Sequence, residues 1–282
     1  MALGGYVRSS ESGLGCPDWP LCHGQLIPPM EFHTVIEYSH RLNASLLMLF
    51  VVALFVISWV KHRDAKSVLI LTGSAVGLVL SVAILGGITV LTELAWWVRL
   101  IHLTLAELLI GTIVGVVWLA FSPKVTNSDT LRPIYTPKWK IKLWFIAIGL
   151  LLLIVSGSYM VGTGAGSSCA SWPLCRGELF PQGSTYAIHM GHRYMAALML
   201  VITGYIGWSF IKKDGHIPGL KRAYMTLIHS MILQIIIGAV LVWSGFDSSL
   251  KTIHLALATL IWVAAIYLIS CIVQNNSRYS KA

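Results

Sequence analysis

Four cysteines, four histidines and two arginines recur in a pattern that could do chemistry, with one glutamate beside them. Cys16-Pro-Asp-Trp-Pro-Leu-Cys22 is followed by Glu37-Tyr-Ser-His40-Arg41, and Cys169-Ala-Ser-Trp-Pro-Leu-Cys175 by His189-Met-Gly-His192-Arg193. A shift of 153 residues lays one cysteine loop on the other. A shift of 152 lays His40-Arg41 on His192-Arg193, Gly86 on Gly238 and His102-Leu103 on His254-Leu255. Register kept from the loops to the last histidines marks an internal duplication.

The elements that carry these residues follow from composition. The chain of 282 residues is 56% hydrophobic and only 11% charged, against about 25% charged in a soluble domain. Its mean hydropathy is +0.76. Seven runs, at about 36–60, 68–91, 97–121, 141–162, 187–211, 222–244 and 251–273, are long and apolar enough to span a bilayer. Spanning segments must satisfy their own backbone hydrogen bonds, so all are predicted helices. The fold class is therefore an all-α polytopic membrane protein built as two tandem four-helix bundles. The counterpart of the helix at 141–162 would lie mostly before Met1, leaving Met1–Val7 as its outer end and seven full spans. The expected domains are an N-terminal bundle over 1–121, a cytoplasmic linker over 122–140, a C-terminal bundle over 141–273 and a cytoplasmic tail over 274–282.

The net charge of +9 would suggest nucleic acid in a soluble protein. Here the basic residues alternate with apolar runs, which excludes nucleic acid as the expected partner and leaves topology and lipid. Lys61, Arg63 and Lys66, the linker lysines and Arg132, Lys212-Lys213, Lys221-Arg222, Arg278 and Lys281 fall on one side. By the positive-inside rule that side is cytoplasmic, and both cysteine loops are outside. Disulfides persist in that compartment, so Cys16–Cys22 and Cys169–Cys175 are expected to pair within their loops. Cys271, in the last span, is expected to pack.

With this topology His40, His102, His192 and His254 share a depth toward the outer face. One inward-facing histidine from each of two helices per bundle is what axial ligation of a haem iron requires. A proton relay or a packing role would explain one such histidine; ionisable groups in spans are rare and functional, and four recurring in register favour ligation. Copper or zinc would want further ligands. Arg41 and Arg193 lie where haem propionates would be gripped, or where a guanidinium snorkels to headgroups; Arg8 is a further propionate candidate. His23, His33, His62 and His216 are expected in loops, and His229 in a helix as packing.

The halves differ at one telling place. Glu37 stands three residues before His40, where the second half has His189, and i, i+3 places it on the face of His40. A partly desolvated carboxylate there can move a proton or stabilise positive charge on a reacting molecule. The alternative is an interfacial glutamate paired with Arg41. Glu107, matched by Thr259, is a second carboxylate within the spans; proton relay and buried partner both stay open for it.

On Gly4-Gly5-Tyr6-Val7-Arg8, the Ser12–Gly24 loop, Glu37-x-x-His40-Arg41, the Cys169–Gly177 loop, His192-Arg193 and His254, the chain resembles haem A synthase of the bacterial and archaeal type with paired cysteines. The resemblance implies an oxidoreductase that converts a methyl group of haem O to the formyl group of haem A for terminal oxidases. It implies a haem b on His192 and His254, the substrate at His40 and His102, and Glu37 as the catalytic carboxylate. A haem O synthase is the implied upstream partner, and an electron donor is required that no motif names. Cys16–Cys22 would serve haem transfer or electron flow, and Cys169–Cys175 structure. Family members have eight helices; here the first is nearly absent, leaving one side of the N-terminal bundle open to lipid. From the residues alone, a di-haem electron carrier and a thiol–disulfide oxidoreductase remain alternatives, with a transporter weakest.

Overall fold

The computed structural model describes residues 1–121, 137–214 and 218–279; most of the expected linker, His216 and the chain's last three residues lie outside the described residues. Along the described chain run helices α1 (Ala2–Ser9), α2 (Phe32–Lys61), α3 (Lys66–Leu91), α4 (Trp96–Phe121), α5 (Pro137–Gly162), α6 (Ser184–Asp214), α7 (Pro218–Trp243) and α8 (Ser248–Tyr279). Seven of them, α2 to α8, are long and apolar enough to cross a membrane. The expected spans are present, each extended at one or both ends by up to six residues. α5 begins at Pro137, inside the stretch expected to be linker. It and α7 start on proline, whose missing N–H falls among the donors that no helix start can pair.

Among the described residues the helices form two groups. α2 packs on α1 and α3, and α3 on α4; α5 packs on α6 and α8, α6 on α7, and α7 on α8. α4 and α8 lie side by side and join the halves, with α1 against α8 and α5 against α4. These paired contacts are related by the repeat, giving a pseudo-two-fold axis between α4 and α8. The turns that enter α4 and α8 repeat as well: Glu93 and Leu94 in one, Gly245 and Phe246 in the other, have positive φ at equivalent positions.

Helices in lipid gain little from hydrophobic burial against each other, so small residues that allow close approach decide the packing. A Cβ on Gly5 of α1 would sit 3.0 Å from Leu255 of α8, and one on Gly162 of α5 would sit 3.1 Å from Trp96 of α4. α1 is further tied to α8 by Ser9 Oγ and Thr252 Oγ1, 2.9 Å apart, and by Ser248 Oγ donating to Ser9 O at 2.8 Å. The buried core is unequal. In the C-terminal half it runs from Trp139, Leu143 and Ile146 through Leu227 to Leu268, whereas in the other it is reduced to Val51, Ala75, Val79 and Leu109.

Candidate functional site

Each of the four repeated histidines lies against a glycine of a neighbouring helix. A Cβ on Gly4 (α1) would sit 3.1 Å from His40 Cε1, and one on Gly157 (α5) 3.1 Å from His192 Cε1. On the opposite sides, a Cβ on Gly86 (α3) would be 3.5 Å from His102 Cε1 and one on Gly238 (α7) 3.2 Å from His254 Cε1. The glycines are equivalent in pairs, and the rings rest on bare backbone. His40 and His102 are close enough for their charges to interact, as are His192 and His254. Each half therefore holds one pair of imidazoles from two different helices.

Among the described residues, no group of three or more His, Cys, Asp or Glu could hold a metal ion. Zinc and copper centres in proteins draw on at least three protein ligands. Two imidazoles per half, set by backbone cradles, fit the two axial positions of a haem iron instead.

The cysteine loops lie against the helices that carry these sites. Cys16–Cys22 and Cys169–Cys175 are bonded, with Cα atoms 4.7 and 5.0 Å apart, and all four cysteines are buried. Cys271 is unbonded and partly buried, packed against the C-terminal core. A Cβ on Gly87 of α3 would be 2.7 Å from the Trp19 ring, and Trp172 meets Trp243 of α7 edge-on at 5.8 Å. Inside each loop one side chain caps the turn. Asp18 carboxylate oxygens accept from His23 N at 2.6 Å and Gly24 N at 2.7 Å; at the equivalent position Ser171 Oγ accepts from Arg176 N at 3.0 Å. The Gly24 N–H in first place, with that of His23, holds the Asp18 carboxyl below its ordinary 3.8.

Arg41 and Arg193, the expected propionate partners, are turned onto these loops. Arg41 donates to Cys16 O at 2.9 Å, Asp18 O at 2.6 Å and Leu21 O at 2.8 Å. Arg193 donates to the equivalent carbonyls, Cys169 O at 3.3 Å, Ser171 O at 2.7 Å and Leu174 O at 3.4 Å, and to Pro173 O at 3.0 Å. Carbonyls of a tight loop are strong acceptors, and a forked cation satisfies several at once. The guanidinium of Arg41 has a further partner: its Nε donates to Glu37 Oε1 at 2.9 Å. Glu37 is 6% exposed. In the other half His189 takes this place, 3.1 Å from an Arg193 terminal nitrogen through Nε2 and 3.0 Å from Ala165 O through Nδ1.

Arg8 and Arg99 form a second cationic group, which the sequence showed only in part. They come from α1 and α4, lie close enough for their charges to repel, and Arg99 Nε is buried without a partner. The equivalent residues of the other half are Val161 and Lys251. Sequence reasoning missed Arg99; its signal is a basic residue in the first turn of an otherwise apolar helix.

Other expectations shift. His33 belongs to the first turn of α2 and its Nδ1 is 2.9 Å from Ser12 Oγ, whereas His23 stays in its loop. Glu107 faces α8, fully buried. His192 and His254 have neighbours that their counterparts lack. Ser156 Oγ is 2.8 Å from His192 Nδ1, and Gln234 Nε2 donates to His254 O at 2.9 Å. The equivalent residues in the first half are Leu3 and Val82.

The COX15-CtaA family, described as a cytochrome oxidase assembly protein, matches the chain over residues 1–35 and 29–266. The chain belongs to that family. Similar curated proteins are named heme A synthase. That of Symbiobacterium thermophilum is 29% identical over 94% of this chain and 88% of its own. Those of Geobacillus thermodenitrificans and an Exiguobacterium species are each 27% identical, over 99% and 92% of this chain and 89% and 84% of their own. The COX15-CtaA member described here thus matches these relatives in both halves.

Proposed function

We propose that the protein is a haem A synthase of the membrane, oxidising a methyl group of haem O to a formyl group to make haem A for terminal oxidases. The observation that carries this reading is one asymmetry in a duplicated frame. Both halves have the same histidine–glycine cradles and the same arginine-pinned loop, but only one has a buried carboxylate beside its histidine. A di-haem carrier has no use for Glu37 in one half alone.

In this reading His40 and His102 hold haem O, and His192 and His254 hold a haem b. A haem b bound there would supply one-electron redox chemistry close to the substrate. Arg41 orients Glu37 through the Nε–Oε1 contact, so that its carboxyl can take or give a proton or face positive charge that develops at the substrate. The Cys16–Cys22 loop, with Trp19 on Gly87, keeps water from the outer mouth. Arg8 and Arg99, rather than Arg41, offer a pair of cations to the two propionates of the substrate. Ser156 and Gln234 fix the ligands of the resident haem, whereas Leu3 and Val82, in the equivalent places beside the substrate histidines, have no polar side chain to do so. The basic loops face the cytoplasm and the cysteine loops the outside, so haem O would enter from the bilayer on the outer side, delivered by a haem O synthase.

Cells expressing the protein with a haem O synthase are the test, read by haem extraction and chromatography. Haem b together with haem O or A is expected in the purified protein; a preparation that stays free of haem after reconstitution would sink the proposal. Glu37→Gln should retain haem b and yield no formyl product, and a normal haem A yield would remove Glu37 from the reaction.

A further inference from the structure

Glu107 is a carboxylate that the reaction above leaves unused. Thr259 Oγ1 of α8 donates to its Oε1 at 2.7 Å, and the Trp262 indole donates to its main-chain oxygen at 2.7 Å. Its Oε2 is buried without a partner. Glu107 and Thr259 occupy the same position in the two halves, 152 residues apart. A contact between equivalent positions lies on the pseudo-two-fold axis, and a point on that axis is equally far from sites that the axis relates. Five residues separate Glu107 from His102 and five separate Thr259 from His254, about 7.5 Å of helix in each case.

Few other charges reach it. On α1 the one charged side chain is Arg8, in the last turn. α3 has no titratable side chain between Lys66 and Leu91, α5 none between Lys142 and Tyr159, and α8 none between His254 and Tyr267. On α4 itself the neighbours are Arg99 and His102 on the outer side.

We propose that Glu107 is a redox-linked proton acceptor shared by the two haem sites. The inference rests on the reading that a haem sits in each half. A bis-imidazole ferric haem core bears one net positive charge, and two such cores at equal distance stabilise the Glu107 carboxylate in the dry interior. Each electron taken up removes one of those charges, and an unpaired carboxylate in a medium of low dielectric then binds a proton. One electron and one proton enter together: ferric iron and carboxylate become ferrous iron and carboxylic acid. The electron comes from a one-electron reductant, and reoxidation returns the proton. Thr259 stabilises the ionised form, and its place on the axis makes the response common to both sites.

Redox titration of the haem-loaded protein with a viologen mediator, between pH 5.5 and 8.5, tests this. One carboxylate takes up one proton for the two haems, so the falls of the two wild-type potentials should sum to at most about 59 mV per tenfold drop in proton concentration. Glu107→Gln, which keeps volume and the acceptor for Thr259, should flatten the slope. Thr259→Val keeps the carboxyl but removes the donor to its charged form, so the sloping range should move to higher pH. The carboxyl band in the reduced-minus-oxidised infrared difference spectrum should vanish with Glu107→Gln. Wild-type potentials independent of pH, or an unchanged slope in Glu107→Gln, would overturn the inference. Haem A yield from the same preparations reports on the function separately: pH-independent potentials in a protein that makes haem A refute the role of Glu107 and leave the synthase reading intact.

Discussion

Adding one methyl group beside each ligand histidine should separate a site from a packing arrangement. Gly157→Ala places a Cβ 3.1 Å from His192 Cε1, and Gly86→Ala places one 3.5 Å from His102 Cε1. Carbon atoms attract best at about 3.5–4.0 Å, so the first substitution must push its ring by about 0.4 Å or more and the second fits as it stands. Both replacements remove a helical glycine, which favours the helix by up to about 1 kcal/mol. Overpacking a close contact costs about 1–3 kcal/mol, so overall stability of Gly157→Ala should change little. Ligand geometry is less forgiving, because a site loses function when its ligands drift by about 0.5 Å. Disturbing what orients a metal-bound histidine costs about 10–100-fold in affinity, the expected loss of haem in Gly157→Ala. Gly4→Ala, also at 3.1 Å, and Gly238→Ala, at 3.2 Å, should lose haem from their own half only. Gly86→Ala should bind haem as the wild type does. The assay is haem per protein by pyridine haemochromogen, with thermal unfolding in detergent as the stability control. Equal haem content in Gly157→Ala and Gly86→Ala would refute the cradle.

Three further outcomes follow. Arg41→Lys cannot reproduce the fork that binds three loop carbonyls and Glu37, and hydrogen bonds to charged groups are worth about 1.5–3 kcal/mol each, so the Cys16–Cys22 disulfide should be reduced faster by a phosphine reagent; an unchanged rate would show that the loop does not depend on the arginine. The Asp18 carboxyl titrates below 3.8, so its hold on the loop is complete above that value and is lost as the pH falls through its folded value. Reduction of Cys16–Cys22 should therefore quicken below about pH 4, while Cys169–Cys175, capped by Ser171, shows no such change, and Asp18→Asn should abolish the difference. Arg8→Gln with Arg99→Gln should weaken haem retention in the N-terminal half and leave haem b in place, as read by haem extraction; retention of both haems would exclude the propionate assignment.

Spans, repeat and disulfides were legible because each rests on a local or periodic signal: run length, register, and cysteine spacing in a loop between apolar runs. Arg41 was legible as a functional arginine but not as a loop clamp. Its partners are backbone carbonyls, which have no residue type to read. The cradles were half visible, since Gly86 and Gly238 recur in register, but a glycine signals close approach without naming the ring that approaches. Glu107 and Thr259 matched as equivalent positions; that equivalents meet required the axis to pass between α4 and α8, which follows only from packing.

The last difference between the halves bears on how a duplicated frame would hold a resident haem and an exchanging one for different times. Ser156 and Gln234 engage His192 Nδ1 and the His254 backbone, and Leu3 and Val82 stand in their places on α1 and α3. A ring whose second nitrogen is hydrogen-bonded keeps its orientation and is a stronger ligand. A carbonyl tied to the neighbouring helix fixes where the ligand's own helix sits. Both effects slow ligand release, which suits a resident cofactor and hinders a substrate that must leave as product. Leu3→Ser with Val82→Gln transplants these contacts into the first half. The variant should retain haem O and haem A longer in dilution and transfer experiments, with a lower rate of haem A release to an acceptor. Ser156→Ala with Gln234→Leu should lose haem b faster and leave the first half unchanged. If the transplanted variant releases product at the wild-type rate while Ser156→Ala with Gln234→Leu keeps its haem b, the lifetimes are set elsewhere, in the loops that cover the two sites.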